Sequence, residues 1–387
     1  MPSTDTILKI DEIKLAQDLI RRPSVTPADA GALDVVEQAL SKLGFVCTRY
    51  TFGNVDNLYA KLGKRRPNLC YAGHTDVVPT GDESQWRHSP FAAKISNGKL
   101  WGRGAADMKG GIAAWIAALS DVLANGWRPK GALSLLITGD EEGPAINGTV
   151  KVLEALEFSN EFIDHCLVGE PTNPNRLGEM IKIGRRGSLN GHIKVTGTQG
   201  HVAYPDLAHN PVPVLLRLLT SLSERLLDEG NRAFQPSNLE ITSVDVNNPT
   251  HNIIAGSAEA RFNIRFNTEH DGEDLVHWIE KEAKNATHEF SGIIDMDLKV
   301  PGLPFITKPG KLTDTLSSAI RQCTGLTPEL STSGGTSDAR FISKIAPVIE
   351  FGLIGKTIHK IDEHVKISDV RTLKEIYKAF ILGYFEA

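Results

Sequence analysis

Four short apolar runs in this 387-residue chain each lead into a residue that can bind a metal ion. Asn68 to Gly73 runs into His74. Ala132 to Thr138 runs into Asp140, Glu141 and Glu142, flanked by Gly139 and Gly143. Cys166 to Val168 leads through Gly169 to Glu170, and Val348 to Leu353 leads through Gly355 to His359. Runs this short, apolar throughout and bounded by turn residues, suit strands buried on both faces. In open α/β sheets, functional sites gather beyond the carboxyl ends of such strands. The pattern therefore predicts a metal centre built at the ends of central strands. Asp107 joins the candidate ligands from a glycine-rich stretch, Gly102 to Gly111, that approaches a helix starting near Ile112.

Spacing within two of these clusters suggests a division of labour. His74 and Asp76 project to the same side if the chain stays extended. The Asp76 carboxylate can then accept the second imidazole N–H while the other ring nitrogen binds metal. Glu141 and Glu142, as neighbours in extended chain, point opposite ways, so one can hold a metal while the other carries protons. Taken alone, His-x-Asp or an acidic loop tip reads more readily as a solvated turn than as a site; several obeying one strand-end rule read as a site.

The periodicity changes twice along the chain. From Glu12 to about Arg186, helices at Ile13 to Arg21, Ala32 to Leu43 and Ile112 to Ala124 alternate with strand-like runs, which predicts a largely parallel α/β sheet. From about Gly187 to Lys299 the runs alternate strictly. Ala258, Ala260, Phe262, Ile264 and Phe266 share one face; Glu259, Arg261, Asn263 and Arg265 share the other, as in an antiparallel sheet wet on one side. Helices are predicted there at Val212 to Leu227, with prolines in its first turn, and at Gly272 to Ala286. The α/β pattern returns with a helix at Leu312 to Cys323, a strand at Pro347 to Leu353 and a closing helix from Ser368, a suitable N-cap, to Phe385. The reading is an α/β catalytic domain, 1–186 with 300–387, carrying an inserted α+β domain, 187–299.

Composition excludes other classes. A net charge of −5 and the absence of any block of five basic residues argue against a nucleic-acid surface, including that of a two-metal phosphodiesterase. No run of eighteen apolar residues marks a membrane span, and Met1 to Lys14 lacks the basic start and apolar centre of an export signal. Cys47, Cys70, Cys166 and Cys323 occur singly, mostly in apolar runs, which suits reduced thiols in the cytoplasm and leaves metal binding to nitrogen and oxygen.

Together the motifs amount to a resemblance. Gly-His-Thr-Asp-Val-Val-Pro at 73–79, Gly-Arg-Gly-Ala-Ala-Asp-Met-Lys-Gly at 102–110, Asp-Glu-Glu-Gly at 140–143, Gly-Glu-Pro-Thr at 169–172 and Gly-His-Val-Ala-Tyr-Pro at 200–205 look like the dinuclear-zinc family of aminoacylases, deacylases and carboxypeptidases. The resemblance covers essentially the whole chain. It implies a zinc-exopeptidase-like catalytic domain with two zinc ions per subunit, replaceable by cobalt or manganese. His74 and Glu170 would hold one ion, Glu142 and His359 the other, and Asp107 would bridge them. Asp76 would orient His74, and Glu141 would be the base. The family also implies a cis peptide after Asp107. It implies a homodimer too, in which His201 crosses from one chain to stabilise the oxyanion in its partner, with Asn252 nearby. On sequence alone Gly200-His201 is a polar turn. Ala255 stands where an Asn-Val-Ile-Pro pattern would place proline.

Within that family, Ser-Gly-Gly-Thr-Ser-Asp-Ala-Arg-Phe at 333–341 and Ile-His-Lys-Ile-Asp-Glu-His-Val at 358–365 most resemble one branch, and that resemblance implies hydrolysis of the amide of N-succinyl-LL-2,6-diaminopimelate to succinate and LL-2,6-diaminopimelate. Such a small N-acyl amino acid substrate carries several carboxylates, which arginine binds bidentately. Arg185 and Arg265 are the candidates, with Gly335 and Thr336 in the loop Gly334-Gly335-Thr336-Ser337, which offers backbone N–H groups and two hydroxyls. Acetylornithine or another N-acyl amino acid is the near alternative, and a catalytically inert metal-binding protein the alternative of another class.

Overall fold

The structure, a computed structural model, describes residues 9–386; most of the Met1 to Lys14 stretch read for an export signal lies outside them. Two compact units form along the chain. One runs to Ile183 and resumes over Thr307–Ser331 and from Ser337 onward; the other takes Gly184–Ile306 with Thr332–Thr336.

In the first unit the apolar runs build an eight-stranded sheet. Its order is Val46–Phe52, Val55–Leu62, Ala132–Thr138, Asn68–His74, His165–Val168, Val348–Glu350, Met180–Lys182 and Glu329–Ser331. The four central strands, Ala132–Thr138 to Val348–Glu350, are mutually parallel. Every residue of Asn68–His74 and Ala132–Thr138 is buried, which explains why these segments are apolar without alternation. Helix Gly110–Ala124 packs against Glu12–Ile20 and the closing helix Ile367–Glu386. Trp115 stacks on Tyr71 at 4.6 Å, and Tyr377 meets Trp115 edge-on at 5.1 Å, so the aromatic stripe of that helix is core.

Two local expectations are corrected. The strand near Val348 ends at Glu350, after which the Phe351 N–H still donates to the Val168 carbonyl at 2.9 Å; Phe351 and Leu353 are apolar because they are buried. The closing helix starts at Ile367, and the Ser368 hydroxyl donates to Asp369 rather than capping the helix.

The second unit is built on a four-stranded antiparallel sheet in the order Asn238–Asp245, Ser257–Phe266, Gly187–Thr196, Ile293–Gly302. Ala258, Ala260, Phe262, Ile264 and Phe266 are all buried, in one core with residues of helices Pro211–Glu224 and Gly272–Ala286. Burying such side chains stabilises by roughly 1.5–3 kcal/mol for each large one. The unit extends beyond 187–299 because Gly184–Arg185 pairs with Phe305–Ile306 and the Thr332 hydroxyl donates to the Ala233 carbonyl. Among the described residues no helix is long and apolar enough to cross a membrane.

Candidate metal centre

His74 is the last residue of its central strand, Glu170 lies two residues beyond Val168, and Glu142 four beyond Thr138. His359 follows the strand ending at Glu350 and sits in the left-handed region at φ 58°, a conformation that non-glycine residues adopt mainly where surroundings enforce it. Gly169 is required sterically: a Cβ there would lie 1.9 Å from the Tyr71 hydroxyl oxygen, beside the buried Trp115 stack. Gly104, at φ 84°, takes the turn into the segment Ala105–Lys109 that carries Asp107. The Asp107-Met108 peptide is cis, as the family resemblance implies.

These ends converge on Asp107, whose two carboxylate oxygens face different histidines. Oδ1 lies 3.2 Å from Nε2 of His74, and Oδ2 lies 3.5 Å from Nε2 of His359. His74 Nε2 is also 3.6 Å from Glu170, and His359 Nε2 is 2.9 Å from Glu142. Ligand atoms around one tetrahedral zinc, each about 2.0–2.1 Å from it, stand roughly 3.3 Å from each other. The observed separations are compatible with metal held among these residues. Ligand atoms of His74, Asp107 and Glu142, and of His74, Glu141 and Glu170, lie within 4.8 Å of one another. The donor set is nitrogen and oxygen only, which suits zinc and tolerates cobalt or manganese.

Electrostatics point the same way. Among the described residues, the ion-pair partners of Asp107, Glu142 and Glu170 are the two histidines, with no lysine or arginine. Burial, then the carboxylates of Asp107 and Glu141, push Glu170 well above the ordinary range. Burial also lifts Glu141, with Asp338, Glu142 and Asp107 adding to it against His74. Burial opposes the ionised form of Asp107, but hydrogen bonds from His359 and His74 outweigh it and hold its carboxyl well below the usual range. Those to Asp107 and Glu142 raise His359 to about 10. Divalent cations held among these histidines and carboxylates would supply the positive charge that such a cluster calls for.

Asp76 departs from the expected geometry. His74 Nδ1 donates to the Asp76 backbone carbonyl at 2.9 Å, while the Asp76 carboxylate stands 3.6 Å away. That carboxylate instead accepts the backbone N–H groups of Glu141 at 3.3 Å and Glu142 at 3.0 Å. Asp76 thus fixes the tautomer that leaves Nε2 of His74 free for metal, and also holds the acidic loop. Ser337 likewise offers no free hydroxyl: it is buried and donates to Glu350 at 2.7 Å.

Arg185, His201, Asn252, Arg265, Gly335 and Thr336 all belong to the second unit. Arg185 is buried and donates to the Ser333 carbonyl at 3.2 Å, which brings it to the Gly334 to Thr336 loop. Arg265 is half-buried, and burial, then the nearby Arg186 charge, lowers its pKa. His201 is exposed; its Nδ1 accepts the Ala203 N–H at 3.1 Å, and it pairs with Ile253, next to Asn252, in a short two-stranded ladder. Sequence reasoning missed Arg103 and Glu363, a buried ion pair at 2.8 Å whose partners are 260 residues apart. Glu363 stood inside the quoted 358–365 motif, but only burial distinguishes it from a surface acid.

Residues 70–383 match the peptidase family M20/M25/M40. A succinyl-diaminopimelate desuccinylase of Maricaulis maris is 58% identical over 374 residues, covering 97% of this chain and 96% of that protein. One from Caulobacter sp. strain K31 is 55% identical over 383 residues, covering 98% and 97%. Among solved structures, an M20 family metallo-carboxypeptidase from Sulfolobus solfataricus superposes with a TM-score of 0.80 at 19% identity, covering 97% of this chain and all of that one.

Proposed function

Because the chain belongs to peptidase family M20/M25/M40, we infer that it is a metal-dependent hydrolase that cleaves the N-succinyl amide of succinyl-diaminopimelate, a step of lysine and diaminopimelate biosynthesis. One observation carries this reading: a chain more than half identical, nearly end to end, to proteins of that name also turns the two oxygens of Asp107 toward two different histidines.

The residue roles follow from chemistry. His74 and Glu170 would hold one zinc ion, Glu142 and His359 a second, with Asp107 shared. What zinc supplies when bound is Lewis acidity, toward the amide carbonyl and toward water. Glu141, raised by burial, takes the proton of the attacking water and returns it to the leaving amine. Asp76 keeps His74 and the Glu141-Glu142 backbone in place. Arg185, Arg265, Gly335 and Thr336 would read the substrate's carboxylates, Arg185 with the Gly334 to Thr336 loop it already touches, and Asn252 would bind substrate beside His201. The second unit would pair two chains, so that His201 of one chain donates to the oxyanion formed in its partner. Four free cysteines suit a reducing compartment, and we place the protein in the cytoplasm.

A substrate panel tests the specificity. The zinc-loaded protein is expected to release succinate from succinyl-diaminopimelate at least about 100-fold faster, in kcat/KM, than it releases acetate from acetylornithine. Such a ratio corresponds to about 2.7 kcal/mol of transition-state discrimination, within reach of a site that pairs buried polar groups with a substrate carboxylate. Equal or reversed preference would move the protein to a sibling N-acyl amino acid hydrolase.

A further inference from the structure

We propose that the buried Arg103–Glu363 pair is a positioning device for the metal centre, locking together the segments that carry Asp107 and His359. The proposal rests on the two-metal reading and goes beyond its ligands.

Glu363 is fully buried, four residues after His359. Its Oε1 accepts the backbone N–H of Ala106 at 2.9 Å and of Asp107 itself at 3.2 Å. Its Oε2 accepts the N–H of Gly104 at 3.1 Å and Nη1 of Arg103 at 2.8 Å. The Glu363 carbonyl accepts the Gly102 N–H at 2.9 Å. One residue therefore accepts the backbone N–H groups of Gly102, Gly104, Ala106 and Asp107, the last being the amide of the shared ligand. Arg103 extends the connection: Nη1 also donates to the Lys360 carbonyl and Nη2 to the Pro79 carbonyl, each at 3.2 Å, and its guanidinium lies 5.2 Å from the centre of the Trp86 ring. Three segments meet here: the exit of the His74 strand, the Asp107 loop and the His359 turn. A solvated surface pair would do none of this, and an isolated buried charge would be costly unless its hydrogen bonds were completed.

The two ion positions depend on this link unequally. His74 and Glu170 stand at or just beyond the ends of adjacent parallel strands, Asn68–His74 and His165–Val168, and are fixed by the sheet. Glu142 and His359 lie on a loop and a turn, and the His359 side chain is 49% exposed. Loosening Glu363 should therefore release mainly the ion shared by Glu142, His359 and Asp107.

The test is calorimetric zinc titration of chelator-stripped protein, with far-ultraviolet circular dichroism to establish folding. In Glu363→Gln, where an amide N–H₂ replaces one acceptor, the weaker zinc affinity is expected to fall about 10- to 100-fold, the range typical of supporting residues, while the tighter stays within about threefold. Arg103→Lys, which keeps the charge but cannot reach Glu363, Lys360 and Pro79 together, is expected to shift the same ion in the same direction and carries the test if Glu363→Gln does not fold. Unchanged affinity for both ions in a folded variant, or equal loss of both, would overturn the proposal. An unmodified protein that takes up fewer than two ions would instead overturn the two-metal reading on which it stands, and the proposal with it.

Discussion

Replacing Glu141 with Gln should lower turnover of succinyl-diaminopimelate by about 10³-fold or more while both metal ions stay bound. Positioned acid–base groups contribute roughly 10²- to 10⁴-fold, and here one carboxylate must both take a proton and return it. Gln preserves volume but can do neither. Its neighbour behaves differently: Glu142→Ala should weaken an ion, because the Glu142 carboxylate is 2.9 Å from Nε2 of His359. The two residues share one anchor, since their backbone N–H groups both donate to the Asp76 carboxylate. Zinc titration of each variant beside its turnover separates proton transfer from ligation. Loss of an ion from Glu141→Gln, with Glu142→Ala retaining both, would exchange the assignments.

The second large effect concerns His201. His201→Ala and Glu141→Ala homodimers should each be nearly inactive, yet mixing the two under conditions of subunit exchange should restore turnover. One site of the mixed dimer would combine an intact Glu141 from one chain with an intact His201 from its partner, and the other would lack both. Recovery per mixed dimer should therefore reach at most half of the unmodified value. Tagged chains establish that exchange has occurred. No recovery despite exchange would place the action of His201 within its own chain or remove it from the reaction.

The cluster of candidate metal ligands was legible because strand ends announce themselves: a buried parallel strand must be apolar through its length, so a His or Glu at or just beyond its end stands out. His74, the Asp140-Glu141-Glu142 cluster and Glu170 were picked out as candidates this way, with Glu142 singled out as the ligand by resemblance to a family, and the alternation from Ala258 to Phe266 revealed the buried face of the second sheet for the same reason. Asp107 was placed by its glycines and by resemblance to a family, not by periodicity. What stayed hidden depends on who faces whom across long sequence separations. No local pattern tells that the Asp76 carbonyl rather than its carboxylate receives His74, because the competing donors come from residues 141 and 142. Nor does it tell that Glu363 is buried among the amides of 104–107 while the adjacent Asp362 binds the Arg87 N–H at the surface. The Ser337 hydroxyl looked available in a glycine-rich loop and is spent on Glu350.

Zinc reconstitution with turnover as the readout bears most directly on the claim that this is a two-metal amide hydrolase. Chelation should abolish succinate release from succinyl-diaminopimelate without changing the far-ultraviolet circular dichroism, because the first unit has a large apolar core that does not need metal to fold. Activity should return as zinc is added back, up to two equivalents per chain, and His359→Ala should bind one ion fewer. Full turnover by stripped protein, or saturation at a single ion that His359→Ala leaves untouched, would contradict the account.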